Sequence, residues 1–349
     1  MSKIVFLILI SLTFFKSASA THEKYYIQEK SGLNYSMYNS YIKDFNKWND
    51  DVEADYSCND LPVLRDTYLL DIADCQYKKA IKFMKRNIIL LTGNEIRHKF
   101  FASYLSSFPN INLKLAFHES NINWKKNYLY KKDKIIKKHI DKRNKSEKIF
   151  FNKSIKKSKK YNFHNIKYGE LNDKKILNII KKIKFDFIIS YGCSIIGKKF
   201  TNIFKKKILN IHLGLSPYYK GSGTNFFPFV NKEIHFCGST IMEISAKIDS
   251  GKILHQLRPE FKLNDDIHSI GNRIIERTAQ DLCIILTKKK KLKFYKIKTS
   301  YKTRTYKRKD FNKKKLLLAL KNINNNLIKN YLLNSKDIME KKFPLKSQL

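Results

Sequence analysis

From residue 84 onward the chain alternates short apolar runs with longer amphipathic stretches. Ile88-Ile89-Leu90-Leu91 is an unbroken apolar run that stops at Thr92-Gly93-Asn94, the pattern of a strand buried on both faces and closed by a turn. Residues 95–108 then place Ile96, Phe100, Phe101, Tyr104, Leu105 and Phe108 at helical spacing. Ile111, Leu113, Leu115 and Phe117 alternate with Asn112, Lys114 and Ala116 and predict a second strand. Residues 119–170 are dominated by Lys and Asn and read as a surface excursion, partly helical, whose lysines form a solvated face. Helical periodicity resumes over 171–184 through Leu171, Ile176, Leu177, Ile180 and Ile183. A buried strand at 185–191, a short helix near 197–204 and a strand at 208–212 come next. Further strands are expected over 236–243 and 252–257, then a helix over 265–289. This alternation predicts an α/β, Rossmann-like, doubly wound and mainly parallel sheet with helices on both faces. In such sheets ligands sit beyond the carboxyl ends of the strands.

The ends differ from this body. Residues 1–20 begin with Lys3, run through a mostly apolar stretch from Ile4 to Phe15 and end in Ala18-Ser19-Ala20, the form of a signal peptide. Residues 21–83 are an extension of unknown role, with an acidic cluster and with Cys58 and Cys75, which pair if this part is exported. An upstream gene-model extension ahead of a start at Met84 is the competing reading. The catalytic body is assigned to 84–300 and a basic helical tail to 301–349. No later apolar segment is long enough to span a bilayer, so no transmembrane anchor is expected.

Composition changes the picture in one respect. The 71 Lys+Arg against 30 Asp+Glu give a net charge of +41, but 62 of the basic residues are Lys and only 9 are Arg. Readers of nucleic acid rely on Arg for bidentate contacts, so the excess reads first as a solvated lysine surface. The 42% apolar content supports a sizeable core, and the 13% aromatic content argues against wholesale disorder. The five cysteines form no CxxC pair and no zinc spacing with His, so no metal is expected. Cys193, Cys237 and Cys283 read as buried thiols.

Chemistry concentrates at 210–251. Asn210 and His212 stand two apart on a strand, so their side chains project to one face. A loop with Gly214, Pro217, Gly221 and Gly223 comes after them, and the turn Ile248-Asp249-Ser250-Gly251 brings a carboxylate. An amide can donate to an oxyanion, an imidazole can relay a proton near neutral pH, and a carboxylate can orient the imidazole. This set suits acyl transfer to an amine with no Ser or Cys nucleophile. A capping Asn and a packed His are the alternative. His235 and His255 read as satisfied or exposed, and His268, on the 265–289 helix, as solvent-facing.

The run from Asn210-Ile-His212 through Ser216-Pro217-Tyr218-Tyr-Lys-Gly221, with Asp249-Ser-Gly and Lys-Ile-Leu-His-Gln256 downstream, resembles the folate-dependent formyltransferase family over roughly residues 84–310. The family includes methionyl-tRNA, glycinamide ribonucleotide and sugar-amine formyltransferases. The resemblance implies that Asn210, His212 and Asp249 are catalytic. It implies that 10-formyltetrahydrofolate binds near Tyr191, Gly192, Ile195, Ile196, Ser216, Pro217, Gly221 and Ile248. It makes Asn94, Arg97, Tyr218 and Lys220 candidates for the acceptor site.

The turn Thr92-Gly93-Asn94-Glu95-Ile96-Arg97-His98 is not the Gly/Ser-rich phosphate loop of glycinamide ribonucleotide enzymes. The 60 residues after 289 are too few and too helical for the C-terminal barrel of methionyl-tRNA enzymes. Together with Gly221–Pro228 these features resemble the sugar-amine type, whose acceptor is a small amine, such as an amino sugar carried on a nucleotide. A methionyl-tRNA-type enzyme without the barrel, taking tRNA as partner, is the alternative. A formyltetrahydrofolate hydrolase is a second, and an exported polyanion-binding protein with an inactive catalytic domain is the non-enzyme alternative. Folate chemistry places the catalytic domain in the cytoplasm, against the signal-like start.

Overall fold

The computed structural model describes residues 85–120, 133–205, 207–245, 247–288 and 291–349. The chain divides into two units, 1–83 and 84–349, and the described residues all belong to the second. The signal-like segment, the start at Met84 and the Cys58–Cys75 pairing lie outside the described residues.

The apolar runs become the strands of a seven-stranded sheet. These are β1 (Arg86–Gly93), β2 (Ile111–Glu119), β3 (Phe163–Ile166), β4 (Phe187–Tyr191), β5 (Ile208–His212), β7 (Ser239–Glu243) and β8 (Ile253–Leu257). Their order is β3-β2-β1-β4-β5-β7-β8. The first five are parallel, while β7 runs antiparallel to both β5 and β8. The order reverses between β1 and β4, which opens a crevice at their carboxyl ends. The turns at Gly93 and Gly192 stand there.

Helices α1 (Ile96–Ser107), α2 (Lys134–Lys157), α3 (Lys174–Lys181), α4 (Lys198–Ile203), α5 (Phe227–Val230) and α6 (Ile267–Thr287) cover the sheet. One core joins Ile89, Leu91, Leu115 and Phe117 to Leu171, Leu177, Ile180 and Phe200. A second joins α2, the 215–230 loop and α6 through Ile136, Tyr219, Phe229 and Ile274. Phe226, Phe227 and Phe229 are buried within that core.

Two expectations change. The stretch read as a surface excursion contains α2, a 24-residue helix that buries Ile136, Ile140, Glu147 and Phe151, and β3, an edge strand. Its apolar positions are sparse, yet they fall on one face. Asp133 caps it by accepting from the Ile135 and Ile136 amides at 2.8 and 3.1 Å. His268 is buried, not solvent-facing, because α2 covers that side of α6 and sets His139 against it with ring centroids 4.7 Å apart. Cys237 and Cys283 are buried and Cys193 is half-buried.

The chain beyond α6 packs into the same body. β9 (Arg304–Tyr306) pairs in parallel with β6 (Tyr219–Gly221). Helices α7 (Lys313–Asn324), α8 (Leu327–Asn330) and α9 (Lys336–Lys342) complete it. Leu316, Ala319, Ile328, Tyr331 and Phe343 join the second core. Among the described residues no helix is long and apolar enough to cross a membrane.

Candidate functional site

β5 carries Asn210 and His212 to the crevice end of the sheet, and the β7–β8 connection returns Asp249 to them. The Asp249 carboxylate faces both, with Oδ2 3.2 Å from His212 Nδ1 and Oδ1 3.4 Å from Asn210 Nδ2. The Gly221 amide donates to Oδ2 at 2.8 Å. Asp249 adopts φ +46°, a left-handed conformation that Asp tolerates better than most residues. The next turn is equally tight, since a Cβ on Gly251 would lie 1.7 Å from the Glu243 carbonyl oxygen. Only glycine fits there.

The orientation of the Asn210 amide is fixed from behind. Ser190, its register partner on β4, donates from Oγ to Asn210 Oδ1 at 2.8 Å. The amide nitrogen therefore points at Asp249, and its second proton is available to a bound oxygen. Both His212 nitrogens face oxygens that only accept here, Asp249 Oδ2 and, at 2.8 Å from Nε2, the Tyr219 carbonyl. The doubly protonated ring matches both contacts. A reacting oxygen that takes the Nε2 proton must displace the Tyr219 carbonyl.

β6 is thus a splint touching His212 through Tyr219 and Asp249 through Gly221. It is anchored by Glu233, whose carboxylate accepts from the Tyr219 hydroxyl, the Tyr301 hydroxyl at 2.9 Å and the Arg304 guanidinium at 3.0 and 2.6 Å. Burial pushes the Glu233 carboxyl up, but the Arg304 and tyrosine hydrogen bonds outweigh it and hold the group below the usual range. Asn231 Nδ2 donates to the Tyr219 and Tyr306 hydroxyls at 2.9 and 2.8 Å. Tyr306 stacks on Phe227 at 3.7 Å.

The remaining candidates separate. Lys220 lies beside the trio, donating from Nζ to Ser250 Oγ at 2.9 Å. Ser216 and Pro217 share a cis peptide bond, and Gln256 Nε2 donates to the Ser216 carbonyl at 2.7 Å. Gly192 and Ile196 lie on the loop after β4, on which Ile195 is 77% exposed, and Ile248, beside Asp249, is 59% exposed. Two large apolar side chains bare to solvent on those loops suit the flat ring of a folate, so the residues present fit that group.

Tyr191 instead turns into the core between His98 and Phe101, with its hydroxyl buried. Tyr218 packs against Phe236, Tyr301 and Phe343. Arg97 is committed to Glu147 at 2.8 Å and to Glu95. That pairing ties α1 to α2 and holds the guanidinium above its usual range against the opposing effect of burial. Asn94 is half-buried at the start of α1.

Sequence reasoning missed Ser190, Glu233, Arg304 and Glu119. Glu119 is 2% exposed and accepts from the Ser194 hydroxyl at 2.7 Å, the Ser194 amide at 2.5 Å and the Gly169 amide at 2.6 Å, which pins the loop after β4. Ser190 and Glu119 carry a usable signal, as polar residues at the ends of apolar strands. Among the described residues no group of three or more His, Cys, Asp or Glu is gathered to hold a metal ion.

Residues 129–285 match the family model described as formyl transferase. The methionyl-tRNA formyltransferase of Clostridium tetani (strain Massachusetts / E88) is 32% identical over 108 residues, 30% of this chain and 34% of that protein. The bifunctional polymyxin resistance protein ArnA of Wigglesworthia glossinidia brevipalpis is 31% identical over 137 residues, 39% of this chain and 21% of that one. The chain thus spans about a third of the length of the first curated relatives it matches. Among solved structures, the formyltransferase PseJ from Anoxybacillus kamchatkensis is similar at 21% identity and TM-score 0.36, covering 71% of this chain and 92% of that one. The phosphoribosylglycinamide formyltransferase from Anaplasma phagocytophilum is similar at 16% identity and TM-score 0.41, covering 57% and 84%. Asn210, His212 and Asp249 all lie within the stretch, residues 129–285, over which the chain is similar to the formyl transferase family.

Proposed function

We propose that the protein is an N-formyltransferase that moves the formyl group of 10-formyltetrahydrofolate to a primary amine of a small acceptor, a nucleotide-linked amino sugar. The observation that carries this reading is the hydrogen-bonded meeting of Asn210, His212 and Asp249 at the crevice end of β5. The folate supplies an activated formyl carbon. Asn210 offers its second amide proton to the formyl oxygen. His212 lies beside it, held between the Asp249 carboxylate and the Tyr219 carbonyl. The Asp249 carboxylate accepts the hydrogen bonds in this set and is the group to take a proton from the attacking amine as the new nitrogen–carbon bond forms; that proton would pass on to the folate nitrogen as its bond to the formyl carbon breaks. Neither Cys193 nor Cys237 suits a nucleophile, since burial pushes the Cys193 thiol up to about 12 and the Cys237 thiol higher still.

The amino-sugar acceptor rests on the turn at Gly93–His98 and on the Gly221–Pro228 stretch. A transfer RNA acceptor is the second reading, favoured by the names of the curated relatives. Against it, the segment after α6 folds back onto the catalytic body through β9 and α7. The test is to incubate the full chain with 10-formyltetrahydrofolate and a panel of nucleotide-linked amino sugars, with methionyl-tRNA alongside, and to follow tetrahydrofolate release. Release that requires an amino sugar supports the proposal. Release only with the charged tRNA moves the acceptor, and release without any acceptor makes the protein a hydrolase.

A further inference from the structure

A second concavity, of about 670 Å³, opens on the C-terminal side of the fold and is lined by neither Asn210, His212 nor Asp249. Its walls are two segments, 296–301 and 342–346, which bring Lys296, Lys298, Lys342 and Lys346 to one hollow beside the hydroxyls of Thr299 and Ser300. The walls are built. Arg258 donates from Nη2 to the Phe343 carbonyl at 2.6 Å and from Nε to the His235 carbonyl at 2.7 Å. Gln256 and Lys346 exchange hydrogen bonds at 2.8 and 3.2 Å. The Tyr301 amide donates to Thr299 Oγ1 at 3.0 Å.

Among the described residues none of the four ammonium groups has a carboxylate partner. Lys342 and Lys346 lean on aromatic rings, 5.7 Å from Phe343 and 6.0 Å from Tyr295. Like charges gathered round one hollow repel each other, and a ligand carrying several negative charges offsets that cost. Lysine binds phosphate as a point charge. The volume lies in the range of small-molecule sites. A single-stranded nucleic acid would need a run of aromatic faces to stack on, but of the three rings that line the hollow Tyr218 and Phe343 are each only 7% exposed and Tyr301 alone is half-buried. We infer that this hollow is a binding site, separate from the catalytic trio, for a small molecule bearing an oligophosphate.

The probe is inorganic tripolyphosphate, titrated into the full chain by calorimetry at fixed ionic strength. The expected result is saturable binding at one site, weakened at least tenfold in Lys298→Ala/Lys342→Ala and unchanged in Lys137→Ala/Lys138→Ala, a pair of exposed lysines on α2. Thermal melting confirms that both double variants fold, and a separate Lys298→Gln variant gives an intermediate loss. Unsaturable binding, or equal weakening in both double variants, overturns the inference by reducing the hollow to part of the general lysine surface. So does a single-stranded oligouridylate that binds tighter than tripolyphosphate and loses that affinity in Lys298→Ala/Lys342→Ala, which would make the hollow a nucleic-acid site.

Discussion

The carbonyl oxygen of Tyr219 stands 2.8 Å from Nε2 of His212. It occupies the position from which a substrate oxygen would take a proton from that nitrogen. Tyr219 belongs to β6, and β6 is held by β9 from the far end of the chain, so the resting geometry of the imidazole depends on residues about ninety positions away. The C-terminal segment is part of the site's frame.

Glu233 should act as a positioning residue. It fixes the Tyr219 hydroxyl and receives Arg304, but it does not touch the trio. Glu233→Gln is expected to lower kcat by about tenfold with little change in KM, because the loss falls on the alignment of His212. The His212 ring resonances followed by NMR against pH should shift in the same variant. An unmoved His212 titration beside a lowered melting temperature would assign Glu233 a purely structural role.

Gly221 has φ +86°, and a Cβ there would lie 2.1 Å from the Tyr306 carbonyl oxygen. Gly221→Ala should part β6 from β9 and destabilise the protein by about 2 kcal/mol or more, read as a lower urea midpoint. A midpoint equal to that of the unaltered chain would show that β6 and β9 do not pair as described.

His139 and His268 are each held at about 4, chiefly by burial, with the charges of Lys142 and Arg143 opposing protonation and Asp266 favouring it. Their folded values lie below the ordinary value of 6.5, so the unfolded chain binds more protons as the medium is acidified. Their contribution to stability is therefore complete above pH 6.5, falls as the pH drops from about 6.5 to about 4, and levels off below. His268→Gln should flatten the melting temperature against pH across that window. A profile as steep as that of the unaltered protein would contradict the burial of this pair.

The parts of this molecule that announce themselves in sequence are those with a strong local period. β1, β2, β4 and β5 are dense apolar runs, and Asn210 and His212 share a face because strand geometry leaves them no alternative. The loop glycines are legible for the same reason, as the backbone there admits few other residues. What stays hidden depends on distant partners. α2 has three apolar residues buried in 24 positions, so its packed face emerges only when α1 and α6 are present to meet it. His268 reads as exposed because the helix that covers it has so weak a pattern of its own. Arg97 reads as free because Glu147, fifty residues away, gives no local sign of pairing with it. Glu233 and Arg304 are ordinary surface residues in sequence and become a bidentate anchor only when β9 docks on β6.

The most direct test of the account is the rate of tetrahydrofolate release from 10-formyltetrahydrofolate with an amine acceptor, compared among the unaltered chain, Asp249→Asn and His212→Ala. A positioned donor or proton acceptor contributes about a hundredfold or more. Both variants, folded by circular dichroism, are predicted to lose at least that factor. Turnover unchanged in either one would contradict the claim that Asn210, His212 and Asp249 form the reacting centre.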